Sequence, residues 1–247
     1  ISGVPKNNQN GTVEDIEVGG SPAFDNSTQG GETIFVSGSF GTLTMGDTDG
    51  ALDWALTEAI IGSAINDDHE HAGYNGNSGL DGTYDGQIAR YDYSFGDFGF
   101  AASAELSDDN SGDDVFGLGG KYSGDFAGVA LGFGLGYQTA DNADIIGVSV
   151  SGKLASGFQA ILNYTDLDGV NGADNHTGVA LGYNTGAITV AMNYGVFDLV
   201  GGGENEGYGL IGNYDLGGGA SLQAGYGHST VGGVDGDRYS FGVAMAF

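Results

Sequence analysis

The chain has 247 residues with 51 glycines and 2 prolines, enough for one large domain or two small ones but too little proline for a collagen triple helix. Its 13 tyrosines, 13 phenylalanines and one tryptophan are too many for a disordered chain, and the lack of cysteine excludes disulfides and thiolate metal sites. The formal net charge of −28, from 33 acidic and 5 basic residues, excludes nucleic acid as a partner, because phosphate binding needs lysine and arginine.

The first 32 residues are polar and contain no convincing strand, although residues 12–18 ("TVEDIEV") leave room for one. We therefore expect a polar loop or remnant over 1–32. Two strands are predicted next, at 33–38 ("TIFVSG") and 42–46 ("TLTMG"), with a short turn between them. Because the first of these strands runs into a short turn, its start lies at the opposite end of the sheet.

The longest stretch without alternation lies between Asp47 and Gln87. A connection of this length in a compact fold is usually functional or disordered. Its part "ALDWALTEAIIGSA" (51–64) predicts a short amphipathic helix, which contains the only tryptophan, Trp54. The residues expected on one side of this helix are Leu52, Ala55 and Ala59.

From residue 87 to the end, large apolar side chains alternate with small or polar ones, which predicts β-strands. The clearest ranges are 97–106, 128–138, 145–154, 158–166, 177–184, 187–196, 207–216, 220–228 and 238–247. About thirteen strands are visible in the whole chain. Short turns flanked by aromatic residues alternate with longer acidic segments such as "SDDNSGDD" and "DLDGVNGADN". The chain is therefore predicted to be a meander of hairpins with tight turns at one end and long loops at the other.

The two faces of these strands differ in an unusual way. One face carries large apolar residues, among them Leu131, Val190 and Phe241, and the other carries mostly Gly, Ala, Ser, Thr, Asn and Gln. One group of aromatic residues lies beside the short turns: Phe95, Phe98, Tyr122, Phe126, Phe158, Tyr183, Tyr214 and Phe247. Three tyrosines lie near the other end of the strands: Tyr137, Tyr164 and Tyr194. This pattern is typical of an all-β, transmembrane antiparallel up-and-down β-barrel with lipid outside and water inside.

The stretch "SGSFGTLTMGD" (37–47) resembles the general diffusion porins of Rhodobacter and related α-proteobacteria, in which a tight turn and a strand ending in "MGD" lead into the constriction loop. The likeness extends over 33–247 at the level of pattern. It implies one porin domain of sixteen strands, a homotrimer, and a place in the outer membrane among lipid and lipopolysaccharide. It also implies about three strands, with a basic cluster, ahead of residue 1.

The resemblance further implies that loop 48–86 folds into the barrel and narrows the pore, with its acids facing basic wall residues. Opposed charges of this kind set the ion preference of a channel. The loop candidates are Asp49, Asp53, Glu58, Asp67, Asp68 and Glu70, and the wall candidates are Arg90, Asp92, Glu105, Lys121 and Lys153. The plainer alternative is that many of these acids are solvated loop residues.

No catalytic or strong metal motif is present, and we expect no enzyme. The "HEH" at 69–71 lacks a third ligand, and an EF-hand loop starting at Asp47 fails because Ala51 and Leu52 occupy its fifth and sixth positions. Loose Ca²⁺ binding is predicted at one of two acidic clusters: Asp67, Asp68 and Glu70, or Asp108, Asp109, Asp113 and Asp114.

The leading prediction is a water-filled channel for passive diffusion of ions and small hydrophilic solutes, with a preference for cations. An outer-membrane enzyme or a substrate-specific transporter on the same barrel is the main alternative, and it predicts a filled or gated lumen. A soluble, glycine-rich β-solenoid is a third, and it predicts a monomer in plain buffer.

Overall fold

The computed structural model describes residues 6–7, 13–14, 32–84, 86–107, 114–170 and 172–246. It divides into two compact units, residues 1–32 and 33–247. In the first unit, β1 (Lys6–Asn7) pairs antiparallel with β2 (Val13–Glu14), which falls within the stretch that left room for a strand.

The second unit is built on one sheet of thirteen strands, and each strand pairs antiparallel with the next strand along the chain. The strands are β3 (Thr33–Gly38), β4 (Gly41–Asp47), β5 (Gln87–Phe95), β6 (Phe98–Glu105), β7 (Val115–Phe126), β8 (Val129–Ala140), β9 (Ala143–Leu154), β10 (Phe158–Val170), β11 (Ala173–Thr185), β12 (Ile188–Leu199), β13 (Glu204–Gly217), β14 (Ala220–Val231) and β15 (Val234–Met245). The predicted thirteen-stranded meander is confirmed. Over the described ranges, β3 and β15 are the two edges, and no strand pairing joins them.

The connections at the two ends of the sheet differ less in length than the sequence predicts. Between β4 and β5 lie residues 48–86, and between β6 and β7 lie residues 106–114, but the other connections at this end have only two to four residues. The prediction of long acidic loops throughout is therefore wrong. Acids such as Asp144, Asp166, Glu206 and Asp237 lie on strands instead. A charged side chain at a water-exposed strand end does not interrupt the ladder, so acidity alone does not mark a loop.

The large apolar residues lie on a face of the sheet that no other described element covers. Val190 is 47% exposed and Phe241 is 76% exposed on this apolar face. Aromatic rings pair across neighbouring strands beside the short turns, with centroids 5.2 Å apart for Phe98 and Tyr122. The alternation and most of the predicted aromatic row are thus confirmed; Phe247 lies outside the described residues.

At the opposite end of the strands, tyrosine hydroxyls donate to carboxylates on the next strand. Tyr137 donates to Asp144 at 2.6 Å, and Tyr194 donates to Glu206 at 2.5 Å. A ring held against apolar neighbours with its hydroxyl in a polar layer is suited to a boundary between hydrocarbon and water. Among the described residues, no helix has the length and apolar character needed to cross a membrane.

Candidate functional site

Loop 48–86 lies across the opposite face of the sheet, called here the covered face. In its outgoing pass the amide of Ala51 donates to Ser103 Oγ of β6 at 2.8 Å. Farther along, Asn213 Nδ2 of β13 donates to the carbonyl oxygen of Ser63 at 2.8 Å. Side chains of the sheet thus satisfy backbone groups of a segment that has almost no secondary structure of its own.

The loop then returns across the same strands in the reverse direction. Asn193 Nδ2 of β12 donates to the carbonyl oxygen of His69 at 3.1 Å. His176 of β11 places its Nε2 2.9 Å from the carbonyl oxygen of Gly73. The loop therefore crosses the sheet twice, and both its outgoing and its returning segment form hydrogen bonds with the strands.

The helix in this loop is much shorter than the predicted range 51–64. Helix α1 covers only Ala51–Ala55, and Leu56 is extended with ψ of 157°. The helix ends here because the sheet binds the next backbone groups: Thr57 N donates to Ser149 Oγ at 2.9 Å, and Asn163 Nδ2 donates to Thr57 O at 3.0 Å. Leu52, Ala55 and Ala59, which the sequence places on one side of the helix, are all buried, although Ala59 lies beyond the end of α1.

Glycines on the covered face bring the loop into direct contact with the strands. A Cβ on Gly119 would overlap the carbonyl oxygen of Ala51, and a Cβ on Gly195 would overlap that of Gly73. These small residues were predicted simply to face water. The structure gives many of them a second role, because only glycine lets the loop backbone approach a strand so closely.

Glu105 holds the end of the loop. It is 2% exposed, and its carboxylate accepts hydrogen bonds from the amides of Gly82, Tyr84 and Gly86 at 2.9, 3.1 and 2.9 Å. The sequence predicted a wall charge facing the pore. The structure places this carboxylate beneath the loop, where three backbone donors solvate it in place of water.

Two residues that the sequence did not single out join the ends of the loop. Gln138 is fully buried; its Oε1 accepts from Leu80 N at 2.7 Å and its Nε2 donates to Asp81 at 2.6 Å. The other oxygen of Asp81 accepts from Gly50 N at 2.7 Å. Burial raises the pKa of Asp81 to about 6. The only signal in the sequence is a glutamine that follows Gly132, Gly134 and Gly136 on the small face of β8.

Two arginines donate hydrogen bonds to carbonyl oxygens of the loop. Arg90 Nη1 donates to the carbonyl oxygen of Asp49 at 2.5 Å, and its Nε lies 3.5 Å from the carboxylate of Asp92. Arg238 of β15 donates to the carbonyl oxygen of Glu70 at 2.5 Å. The sequence named Arg90 and Asp92 but did not name Arg238 as a site residue.

The two lysines predicted on the wall have different surroundings. Lys121 Nζ donates to the carbonyl oxygen of Trp54 at 2.9 Å and lies 3.5 Å from the centroid of the indole ring. Lys153, nearer the short turns on β9, is exposed.

Four acidic residues close to the two ends of the loop line one cavity. Asp47, Asp49, Asp53 and Asp81 line a cavity of about 230 Å³. The pKa of Asp53 is raised to about 7, first by burial and then by the neighbouring charges of Asp49, Glu58 and Asp81. The region therefore holds more acidic groups than can be ionised together without cost.

The remaining loop acids are placed in different ways. Glu58 accepts a hydrogen bond from the Tyr74 hydroxyl at 2.5 Å, which joins the two passes of the loop. Asp67 is exposed, whereas Asp68 is buried against the sheet. Burial, followed by the charge of Asp67, raises the pKa of Glu70. Which of these acids face a pore stays a prediction.

No group of three acidic, histidine or cysteine side chains is placed to hold a metal ion within the part of the chain that is described. Asp114 accepts from the amide of Ser107 at 3.0 Å, and Asp108, Asp109 and Asp113 lie outside the described residues. In the "HEH" stretch, the ring of His71 accepts from Gly73 N at 3.1 Å. Calcium binding stays a prediction at both clusters.

Comparison with known proteins places this architecture in a family. Residues 7–233 match the family described as Gram-negative porin. A porin of Rhodobacter capsulatus is 29% identical over 230 residues, covering 78% of this chain and 73% of the relative. A porin structure refined at 1.8 Å resolution is similar in fold, with a TM-score of 0.68, 24% identity, and coverage of 87% of this chain and 80% of that chain.

A variant of Rh. blastica porin gives a TM-score of 0.60 at 20% identity, with 87% of this chain and 76% of that chain covered. At these identities the solved structures support the fold, and the match to the family covers nearly the whole chain. Both agree with the thirteen-stranded antiparallel meander. The chain belongs to the Gram-negative porin family and is an antiparallel β-barrel of the bacterial outer membrane.

Proposed function

We propose that the channel conducts ions and small hydrophilic solutes by passive diffusion, prefers cations, and is narrowed by loop 48–86. In a porin barrel the apolar face meets lipid and the covered face lines the lumen. The loop crosses that lumen face with contacts from β6 to β15, so its thickness reduces the bore.

One observation supports the cation preference above all. Three basic side chains on the lumen face, those of Arg90, Lys121 and Arg238, donate to loop carbonyls. The salt bridges among the described residues join Arg90 to Asp92, and His228 to Asp235 and Asp237, so no loop carboxylate takes part in one. Unpaired carboxylates on a narrow passage attract cations and repel anions.

The test is the reversal potential of single channels in a planar bilayer under a potassium chloride gradient. We expect the sign that indicates cation selectivity, and we expect the Asp49→Asn, Asp53→Asn double variant to reduce it. Asp235→Asn removes an exposed carboxylate of β15 that accepts a hydrogen bond from Thr230 Oγ1 at 2.7 Å; this variant is the control and should change little. A reversal potential of the anion-selective sign in the natural chain would contradict the proposal.

Solute passage and assembly belong to the same proposal. Uptake of neutral sugars by proteoliposomes should fall with solute size and show no saturation, because passage is by diffusion. We also infer a homotrimer in contact with lipopolysaccharide, on the strength of the family likeness and the wide apolar face.

A further inference from the structure

Helix α1 has no basic residue of its own near its C-terminal end. Only Asp53 adds charge to this five-residue helix. The last carbonyls of a helix lack intrahelical donors, and a cation beside them is favourable. Lys121 of β7 provides that cation, with its Nζ 2.9 Å from the carbonyl oxygen of Trp54.

The same ammonium group also contacts the indole ring. Its Nζ lies 3.5 Å from the ring centroid of Trp54, within the range of a cation–π interaction. Gly99 and Lys121 are directly paired residues of β6 and β7, and a Cβ on Gly99 would lie 2.9 Å from Trp54 Cη2. The ring is therefore held in a slot formed by one glycine and one lysine of the wall.

We propose that Lys121 is a positioning residue for the constriction: it holds α1 against the wall through Trp54 and is not a free positive charge of the lumen. The residue next to Trp54 is Asp53, so the lysine also determines where that carboxyl stands. This inference rests on the proposed function, in which the loop narrows the pore.

The charges around this contact are consistent with a positioning role. Arg90 and Asp92 on β5 are the other charged groups acting on Lys121, and they form their own ion pair at 3.5 Å. The ammonium group of Lys121 thus contacts the carbonyl oxygen and the indole ring of Trp54. Neither of these partners is an anion that would neutralise its charge. Lys121 therefore contributes to the stability of the loop by keeping α1 in place.

The test compares Lys121→Met with Lys153→Met, which deletes the same charge at an exposed position on the same face of the sheet. Both variants should move the reversal potential in the same direction. Only Lys121→Met should shift the emission of Trp54, the single tryptophan, to longer wavelength and broaden the distribution of single-channel conductance. Far-UV circular dichroism confirms that each variant folds.

Two further variants separate charge from position. Lys121→Arg keeps a donor and a cation over the ring, so it should restore the natural emission and conductance. Gly99→Ala changes no charge but crowds Trp54, so it should shift the emission and conductance as Lys121→Met does.

Equal emission and conductance for Lys121→Met and Lys153→Met would overturn the inference. So would failure of Lys121→Arg to restore the natural values. The emission shift is read without any current. It therefore remains decisive even if the natural channel proves to be anion-selective and the proposed function fails.

Discussion

Glu105 is a carboxylic acid of β6 that contacts loop 48–86, and Asp53 is a carboxylic acid within that loop. Their surroundings differ. Glu105 accepts three backbone hydrogen bonds from Gly82, Tyr84 and Gly86 of the loop. Asp53 is half-buried, and the groups acting on it include three other carboxylates, of Asp49, Glu58 and Asp81. Glu105 therefore holds the end of the loop through backbone amides, whereas burial and neighbouring carboxylates raise the pKa of Asp53.

We expect Asp53 to make the ion selectivity of the channel depend on pH. Its pKa in the folded channel is about 7, above the usual 3.8, so the folded state binds the proton more tightly than the unfolded chain. The carboxyl therefore destabilises the folded loop most above pH 7, and this destabilisation decreases as the pH falls below 7 and ends near the usual pKa of 3.8. Between pH 8 and pH 5.5 we expect the cation selectivity of the reversal potential to decrease.

The control for this pH effect is Asp53→Asn. At pH 8 this variant should show the weaker selectivity that the natural channel reaches at low pH, and its own change between the two pH values should be smaller. A variant that keeps the full pH dependence would show that another group titrates.

At the scale of elements, loop and strands are complementary along their whole contact. Strands β7 to β14 present glycines where loop backbone passes, and serines, asparagines and a glutamine where loop amides and carbonyls need partners. A loop without regular structure is stable in this position because the sheet supplies the hydrogen bonds that a helix or strand would have made internally.

Gly195→Ala tests this complementarity. Its Cβ would overlap the carbonyl oxygen of Gly73, so the returning pass must move, with a loss of about 1–3 kcal/mol in local stability. We expect higher single-channel conductance and faster protease cleavage within 48–86. Gly212→Ala on β13 is the matched control, since a Cβ there meets nothing within 4 Å. Equal behaviour of the two variants would contradict the close contact.

At the scale of the whole molecule, the sheet has two differently used faces. Lipid contacts the apolar face, and loop and water contact the other, so the polar residues of the strands point inward. Leu135→Arg on the apolar face of β8 should destabilise the folded barrel by about 2–4 kcal/mol if it lies near the bilayer midplane. Urea unfolding in lipid vesicles measures this loss. Ala130→Arg, on the lumen face of the same strand, should cost far less, and a similar loss for both would contradict the assignment of faces.

Much of the fold was predictable because strand alternation is a local property of the backbone. The exposure of Val190 and Phe241 follows from period two alone, and the limits of the long connection, at Asp47 and Gln87, follow from where that period stops. The resemblance of "SGSFGTLTMGD" to porins predicts that this connection is the constriction loop. The acidic strand ends were misread because charge was taken as a sign of loops.

What the sequence determined by itself, then, is the two-faced strand pattern, the position of the loop and the excess of acids over bases. Only the tertiary structure shows that Glu105 accepts hydrogen bonds from loop amides and that Lys121 donates to the carbonyl oxygen of Trp54. Contacts such as Arg238 with Glu70 join residues 168 positions apart, and they depend on strand register and on the path of the loop. No local pattern contains this information, because a side chain's partner is set by elements that meet only in the folded barrel.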